Sequence, residues 1–228
     1  MKDAVILLTV FIAGVGLFAQ CLANLKSRRA EFLAFPIALF LLMPYPFWSG
    51  FAALRVDYQL LGIMVTLGVP SGWLSLQFFV YEWHRRHSKR AAPEDKLAVI
   101  LFVSGFALFG VLLPTSDPAA AVAVTAAYFT TCVMVYGFPV KLWRVARGDE
   151  NLEGVKWATL IVLAVLYGAM IVHGQTREIM LLQYVYGFGE GCVLMAIAYK
   201  LWSDFGSRKL TLGASQEAAP SLRDSRDE

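Results

Sequence analysis

Seven apolar stretches, each near the length of a membrane-spanning helix, constrain this sequence more than any other feature. A helix needs roughly 20 apolar residues to cross the hydrocarbon core of a bilayer. The stretches cover residues 4–23, 32–54, 58–83, 97–114, 119–140, 155–172 and 180–202. None shows the sustained polar and apolar alternation of a transmembrane β-strand. Hydrophobic residues form 58% of the chain, more than a soluble fold of this size could cover. The sequence therefore predicts an all-α membrane protein with seven transmembrane helices.

The seven spans divide into groups of three, one and three. The third and seventh spans carry predicted interruptions at 70–72 and 189–191, which lie 119 residues apart. At that offset Gly68 and Gly72 meet Gly187 and Gly191. Two halves joined by one inverting helix are typical of repeat-built transporters. We predict a first three-helix bundle in 1–90, a linker and fourth helix in 91–118, a second three-helix bundle in 119–202, and a disordered cytoplasmic tail in 203–228.

The distribution of basic residues predicts the orientation in the membrane. Lys and Arg in short loops favour the cytoplasmic side. If the N-terminus is outside, all but three of the 20 Lys and Arg residues fall on inner segments, the exceptions being Lys2, Arg55 and Arg177. We therefore expect an outer N-terminus, an inner C-terminus and a location in the plasma (inner) membrane. The outer-loop charges are expected to be solvated, with a gate formed by closing loops as the alternative.

The first span has a second interpretation that the sequence leaves open. Lys2 precedes a long apolar run that ends in small residues, as in a cleaved signal peptide. The three cysteines, Cys21, Cys132 and Cys192, fall within or at the ends of spans. They are expected to be small apolar packing residues and not a disulfide framework or a metal site. We therefore expect no cofactor and no metal.

Glu190 is the one ionisable residue predicted to lie well inside a span. A charged side chain there costs on the order of 3 kcal/mol, so it needs a wet cavity, a partner or a proton. Gln183 lies seven residues earlier and therefore on the same helical face. We expect the two to form a polar stripe along a solute or proton path. The alternative is a neutral Glu190 that serves helix packing, helped by the spacing of Gly187 and Gly191.

The third span is predicted to weaken at the same depth. Pro70 removes a backbone donor and tends to kink a helix. The Ser71 hydroxyl can satisfy backbone groups that the kink frees, and Trp73 adds a flat aromatic surface beside them. The alternative is a plain proline kink with Trp73 facing lipid.

Several short motifs occupy matching places in the two halves. The run at 26–32, Lys-Ser-Arg-Arg-Ala-Glu-Phe, resembles a Lys-Ser-Thr-x-x-Phe motif, and residues 19–20 and 138–143 lie where a Pro-Gln signature would fall. Trp48 and Tyr167 fall near Trp-x-x-Tyr-Gly helix ends. In these motifs the chain resembles the sugar-transporting SWEET proteins and the wider PQ-loop (MtN3-like) superfamily. The resemblance implies two three-helix units joined by an inverting helix. Ser71 and Glu190 lie nearest the family's pocket asparagines, and a carboxylate there implies a proton-linked or cationic solute.

These observations predict a transporter of a small polar solute, such as a sugar, through a pocket between the two bundles. Glu190 would link transport to protons. The expected substrate-binding residues are Trp48, Ser71, Trp73, Tyr167, Gln183 and Glu190. The expected hinges are Pro44, Pro46, Pro70, Gly187, Gly189 and Gly191. The expected partners are the solute and the lipid bilayer, without nucleic acid, and formation of a homo-oligomer stays open.

Two other functions compete with transport. A seven-helix receptor or sensor would share the span count and orientation, although a retinal protein needs a buried lysine and Lys200 lies at the end of its span. An intramembrane lipid enzyme is the weaker alternative. His84 and His87 are expected on an inner loop and His173 on an outer one, so they cannot share a metal across roughly 30 Å of hydrocarbon. We therefore do not expect an enzyme.

Overall fold

The structure is a computed structural model that describes residues 2–28, 34–82, 93–146 and 157–217. These residues form helices and turns without any strand, which confirms the predicted all-helical class. The helices are α1 (Lys2–Ser27), α2 (Phe35–Leu41), α3 (Pro44–Leu54), α4 (Tyr58–Tyr81), α5 (Pro93–Thr115), α6 (Pro118–Gly137), α7 (Pro139–Ala146), α8 (Trp157–Thr176) and α9 (Met180–Glu217).

Within the described residues, six segments are long and apolar enough to cross a membrane, and Leu160–Thr176 is a shorter apolar helix. Many large apolar side chains face outward, including Val69 at 66% and Ile100 at 64% exposure. Such a surface is costly in water and suits lipid. The architecture is therefore compatible with an integral membrane protein.

The helices pack in a consistent order. We call α1–α4 the first half of the chain and α6–α9 the second half. In the first half α4 lies between α1 and the α2–α3 pair, and in the second half α9 lies between α6 and α8. The halves meet where α3 packs on α6 and where α1 packs on α8. Helix α5 packs on α6 and α2. Only 11% of its apolar segment is buried, so it lies at the periphery of the bundle.

The two ends of the helix bundle differ in the segments that they carry. The turns at 55–57 and 177–179 join α3 to α4 and α8 to α9, and together with the start of α6 they form the turn end. The opposite end carries α7 and is called the α7 end. Asp57 and Asp117 begin α4 and α6 at the turn end, since their carboxylates accept the N–H groups of Leu60 and Ala120.

The structure corrects several predicted boundaries. Helix α4 runs through Pro70, and α9 runs through 189–191, so the interruptions predicted there are wrong. The chain breaks instead inside the second span, between Leu41 and Pro44, because a proline without an N–H favours the first turn of a new helix.

The end of the last helix also differs from the prediction. Helix α9 continues to Glu217, so the first part of the segment predicted to be disordered is helical. Extending an existing helix avoids the cost of nucleating a new one. The rest of the predicted tail, 218–228, lies outside the described residues, as do most of the predicted inner loops.

Candidate functional site

Three tyrosines lie where the two halves of the bundle meet. Tyr45 on α3 shares a side-chain hydrogen bond with Ser71 on α4. Tyr167 on α8 and Tyr186 on α9 pack edge to face, with ring centroids 5.6 Å apart. Tyr45 lies within electrostatic range of both of them. We call Tyr45, Tyr167 and Tyr186 the tyrosine cluster.

Glu190 adjoins the tyrosine cluster. Its carboxylate lies within electrostatic range of Tyr167. The residue is partly exposed, yet its Oε2 atom is buried and has no hydrogen-bond partner among the described residues. An unneutralised carboxylate in a low-dielectric region is unfavourable, so it requires water, a proton or a cation from outside the described residues. The Glu190 carboxylate is therefore an unsatisfied polar group beside the tyrosine cluster.

Two glycines make room for the tyrosine cluster. A Cβ atom on Gly68 would lie 2.7 Å from Cβ of Tyr45. A Cβ atom on Gly189 would lie 2.6 Å from the Met134 side chain and 3.0 Å from Tyr167. Gly68 therefore needs glycine for close helix packing, whereas at Gly189 the flexible end of Met134 can shift.

The other glycines near the predicted interruptions behave differently. Added Cβ atoms on Gly72, Gly187 and Gly191 would meet nothing within 4 Å in the described part of the chain. Close helix approach at Gly187 and Gly191, which was the packing alternative for Glu190, is therefore not seen there. Pro70, Gly187, Gly189 and Gly191 all lie inside continuous helices, so neither segment is a break in the chain.

Trp48 is fully buried between α3 and α6. Its Nε1 donates to Oγ1 of Thr130 at 3.0 Å, and its ring packs edge to face against Phe51. Trp48 and Tyr167 belong to the same apolar core. Trp48 thus joins the halves by a hydrogen bond. Its one N–H group donates to Thr130 and is therefore engaged within the protein.

Two other predicted site residues lie away from the cluster. Trp73 packs against Phe18 with ring centroids 5.7 Å apart, in a separate apolar group between α1 and α4. Gln183 donates to the carbonyl oxygen of Gly174 at 3.1 Å, which ties α9 to the end of α8. The structure therefore brings Ser71, Tyr167 and Glu190 toward one region and leaves Trp73 and Gln183 outside it.

The predicted hinge prolines of the second span flank Tyr45. Pro44 is buried in the first turn of α3, directly after the break in this span, whereas Pro46 is exposed. The break and the two prolines fix where α3 starts and hence where Tyr45 points. Tyr45 itself was missed in the sequence, as was Tyr186, which lies one helical turn before Glu190 and could have been found from that spacing.

A polar cluster joins the halves at the turn end. His173 is fully buried, and its Nε2 lies 3.6 Å from Oδ2 of Asp57. The Nε of Arg177 lies 4.0 Å from the same oxygen, and its Nη2 donates to Oε1 of Gln59 at 2.9 Å. The expectation that the charges of this end are simply solvated is therefore wrong for Asp57, whose side chain is only 11% exposed.

A cavity of about 900 Å³ lies beside this polar cluster. Its walls come from residues 51–59, 117–124 and 177–181, and the lining includes none of the predicted substrate-binding residues. The cavity is partly open and combines the side chains of Arg55, Asp117 and Glu178. It forms a vestibule at the turn end, separate from the tyrosine cluster.

A second polar network, also missed in the sequence, joins α1 to α4. Asn24 donates to Oε1 of Gln77 at 3.1 Å, and Gln77 donates to the Cys21 carbonyl oxygen at 2.9 Å. The Cys21 thiol donates to the carbonyl oxygen of Pro70 at 3.4 Å. Since these groups satisfy one another, the network is a structural tether within the first half.

Comparisons with protein-family models, curated proteins and solved structures find no match to this chain. The resemblance to SWEET and PQ-loop proteins therefore stays a prediction from the motifs.

Proposed function

We propose that this protein is a membrane transporter of a small polar solute, which binds at the tyrosine cluster and Glu190 between two three-helix bundles. The observation that carries the proposal is the series Ser71, Tyr45, Tyr167 and Glu190, in which Ser71 and Tyr45 share a hydrogen bond, and Tyr45 and Glu190 each lie within electrostatic range of Tyr167. Its first two members belong to the first half and its last two to the second half. A solute held there would contact both halves.

The order of helix packing supports the 3+1+3 arrangement. Helix α3, in the second span of the first half, packs on α6, the first span of the second half. In the same way α8, the second span of the second half, packs on α1, the first span of the first half. The two contacts are therefore equivalent when the halves are exchanged. The turns before α4 and α9 are also alike. Val56 and Glu178 both have φ of 56° and both lie two residues before the helix begins. Helix α5 would be the inverting helix.

The side chains of the region suit a polar solute. Ser71 and the tyrosines carry hydroxyl groups that both donate and accept hydrogen bonds, as a sugar would require. The aromatic rings can stack against a sugar ring or interact with a cation. Glu190 would take up a proton or pair with a cationic group each time the site empties or fills.

The polar cluster at the turn end supports alternating access. The Asp57–His173 and Arg177–Gln59 contacts each join the two halves, so together they would hold this end closed. Transport would require these contacts to separate while the α7 end closes. The vestibule beside them would then lead solute to the site.

Uptake by proteoliposomes tests the proposal. The panel contains radiolabelled hexoses, disaccharides and organic amines, each with and without an imposed pH gradient. We expect the wild-type protein to exceed empty liposomes for at least one class, and Glu190→Gln to remove the gradient-driven part. Asp95→Asn is the control, since it removes a partly exposed carboxylate from the peripheral helix α5, outside the lining of the vestibule. Uptake equal to that of empty liposomes for the whole panel would contradict the proposal.

A further inference from the structure

The short helix α7 begins where the membrane-spanning part of α6 ends. Helix α6 has 20 residues, which at 1.5 Å per residue extend about 30 Å, the thickness of the hydrocarbon core. Phe138 then leaves the helical conformation, with φ of −124° and ψ of −72°. Helix α7 therefore starts at the membrane surface.

Helix α7 has one basic and one apolar face. At 3.6 residues per turn, Lys141 and Arg144 fall on one side, and Leu142 and Trp143 fall on the other. The Trp143 side chain is 49% exposed. A short helix with this division of residues is suited to lie in the plane of the interface.

Aromatic and basic side chains also lie on α8 and α9 at the α7 end of the bundle. Helix α9 packs on α7. On α9, Lys200 lies over the ring of Trp157 at 5.6 Å, and Trp202 is 73% exposed and packs against Tyr199. Indole rings favour the membrane–water interface. The α7 end thus presents an interfacial belt around a basic helix.

We propose that α7 lies in the membrane interface and binds anionic phospholipids, with Lys141 and Arg144 contacting the headgroups and Trp143 inserted among the acyl chains. The basic face is complementary to a negative lipid surface, and each basic residue near such a surface contributes about 1 kcal/mol. Loss of both charges corresponds to a decrease in affinity of about thirtyfold. The proposal is independent of what the protein transports.

Native mass spectrometry of the full-length protein tests this inference. The detergent-solubilised protein is titrated with equal amounts of phosphatidylglycerol and phosphatidylcholine. We expect the wild type to retain phosphatidylglycerol preferentially. Lys141→Gln/Arg144→Gln should reduce that preference by about thirtyfold, whereas Lys141→Arg/Arg144→Lys should keep it.

The matched control removes two positive charges from the turn end, in Arg55→Gln/Arg177→Gln. If the control and the α7 variant lose the preference equally, net charge and not α7 determines binding, and the proposal is wrong. Full preference in the α7 variant would also overturn it. Displacement of phosphatidylglycerol by inorganic phosphate alone would show an anion site that does not recognise lipid. Circular dichroism of each variant checks that it is folded, and the charge-keeping variant decides the outcome if the glutamine variant is not.

Discussion

The close contact at Gly68 gives a quantitative prediction about the tyrosine cluster. In Gly68→Ala the new methyl group would lie 2.7 Å from Cβ of Tyr45, an atom fixed to the backbone of α3. Overpacking of this kind costs about 1–3 kcal/mol, against a gain of about 1 kcal/mol from the better helix propensity of alanine. At Gly72 the methyl group would meet nothing within 4 Å in the described residues, so only the gain applies.

The difference between Gly68→Ala and Gly72→Ala therefore isolates the clash, and we expect the first variant to be less stable by about 1–3 kcal/mol. Reversible unfolding in mixed detergent and SDS micelles, followed by circular dichroism, measures it. Gly189→Ala should be milder than Gly68→Ala, because its nearest neighbour is the flexible end of Met134. Equal stability of Gly68→Ala and Gly72→Ala would refute the close packing of α3 on α4.

Two further predictions concern hydrogen bonds that hold the helices together. Trp48→Phe removes the bond to Thr130, and a double-mutant cycle with Thr130→Val should give a coupling of about 0.5–2 kcal/mol; a coupling of zero would mean that this bond does not join the halves. Gln77→Leu should lower the unfolding free energy by about 1–3 kcal/mol, because Asn24 and the Cys21 carbonyl each lose a partner. After that change, Asn24→Leu should add little, and two independent, additive losses would contradict the network.

The sequence was sufficient to predict the helical class, because spans of about 20 apolar residues have few alternatives in a bilayer. It was insufficient for the local interruptions. The sequence predicts breaks at Pro70 and at the glycines of 187–191. The helices continue there, because neighbouring helices tolerate the loss of one N–H at proline, and glycine keeps both its N–H and its C=O for the helix. The break at 42–43 was missed because the hydropathy of this span is continuous.

Candidate site residues were predictable only where burial itself was informative. Glu190 stood out because a carboxylate within a span is rare. Tyr45 and Tyr186 did not, since tyrosines are common in membrane proteins and their convergence depends on helix rotation. Helix rotation also explains why Trp73 and Gln183 lie away from the cluster. Trp73 turns toward Phe18, and Gln183 donates its hydrogen bond to Gly174 within the second half.

The proposed transport cycle requires the two halves to separate and close around the tyrosine cluster. The most direct measurement is the distance between spin labels at Tyr58→Cys and Met180→Cys, which are exposed positions on opposite halves beside the vestibule. Double electron–electron resonance in nanodiscs should give two distance populations, and Asp57→Asn should shift them toward the longer one by weakening the contacts with His173 and Arg177. A single distance that is unchanged by Asp57→Asn would contradict the account.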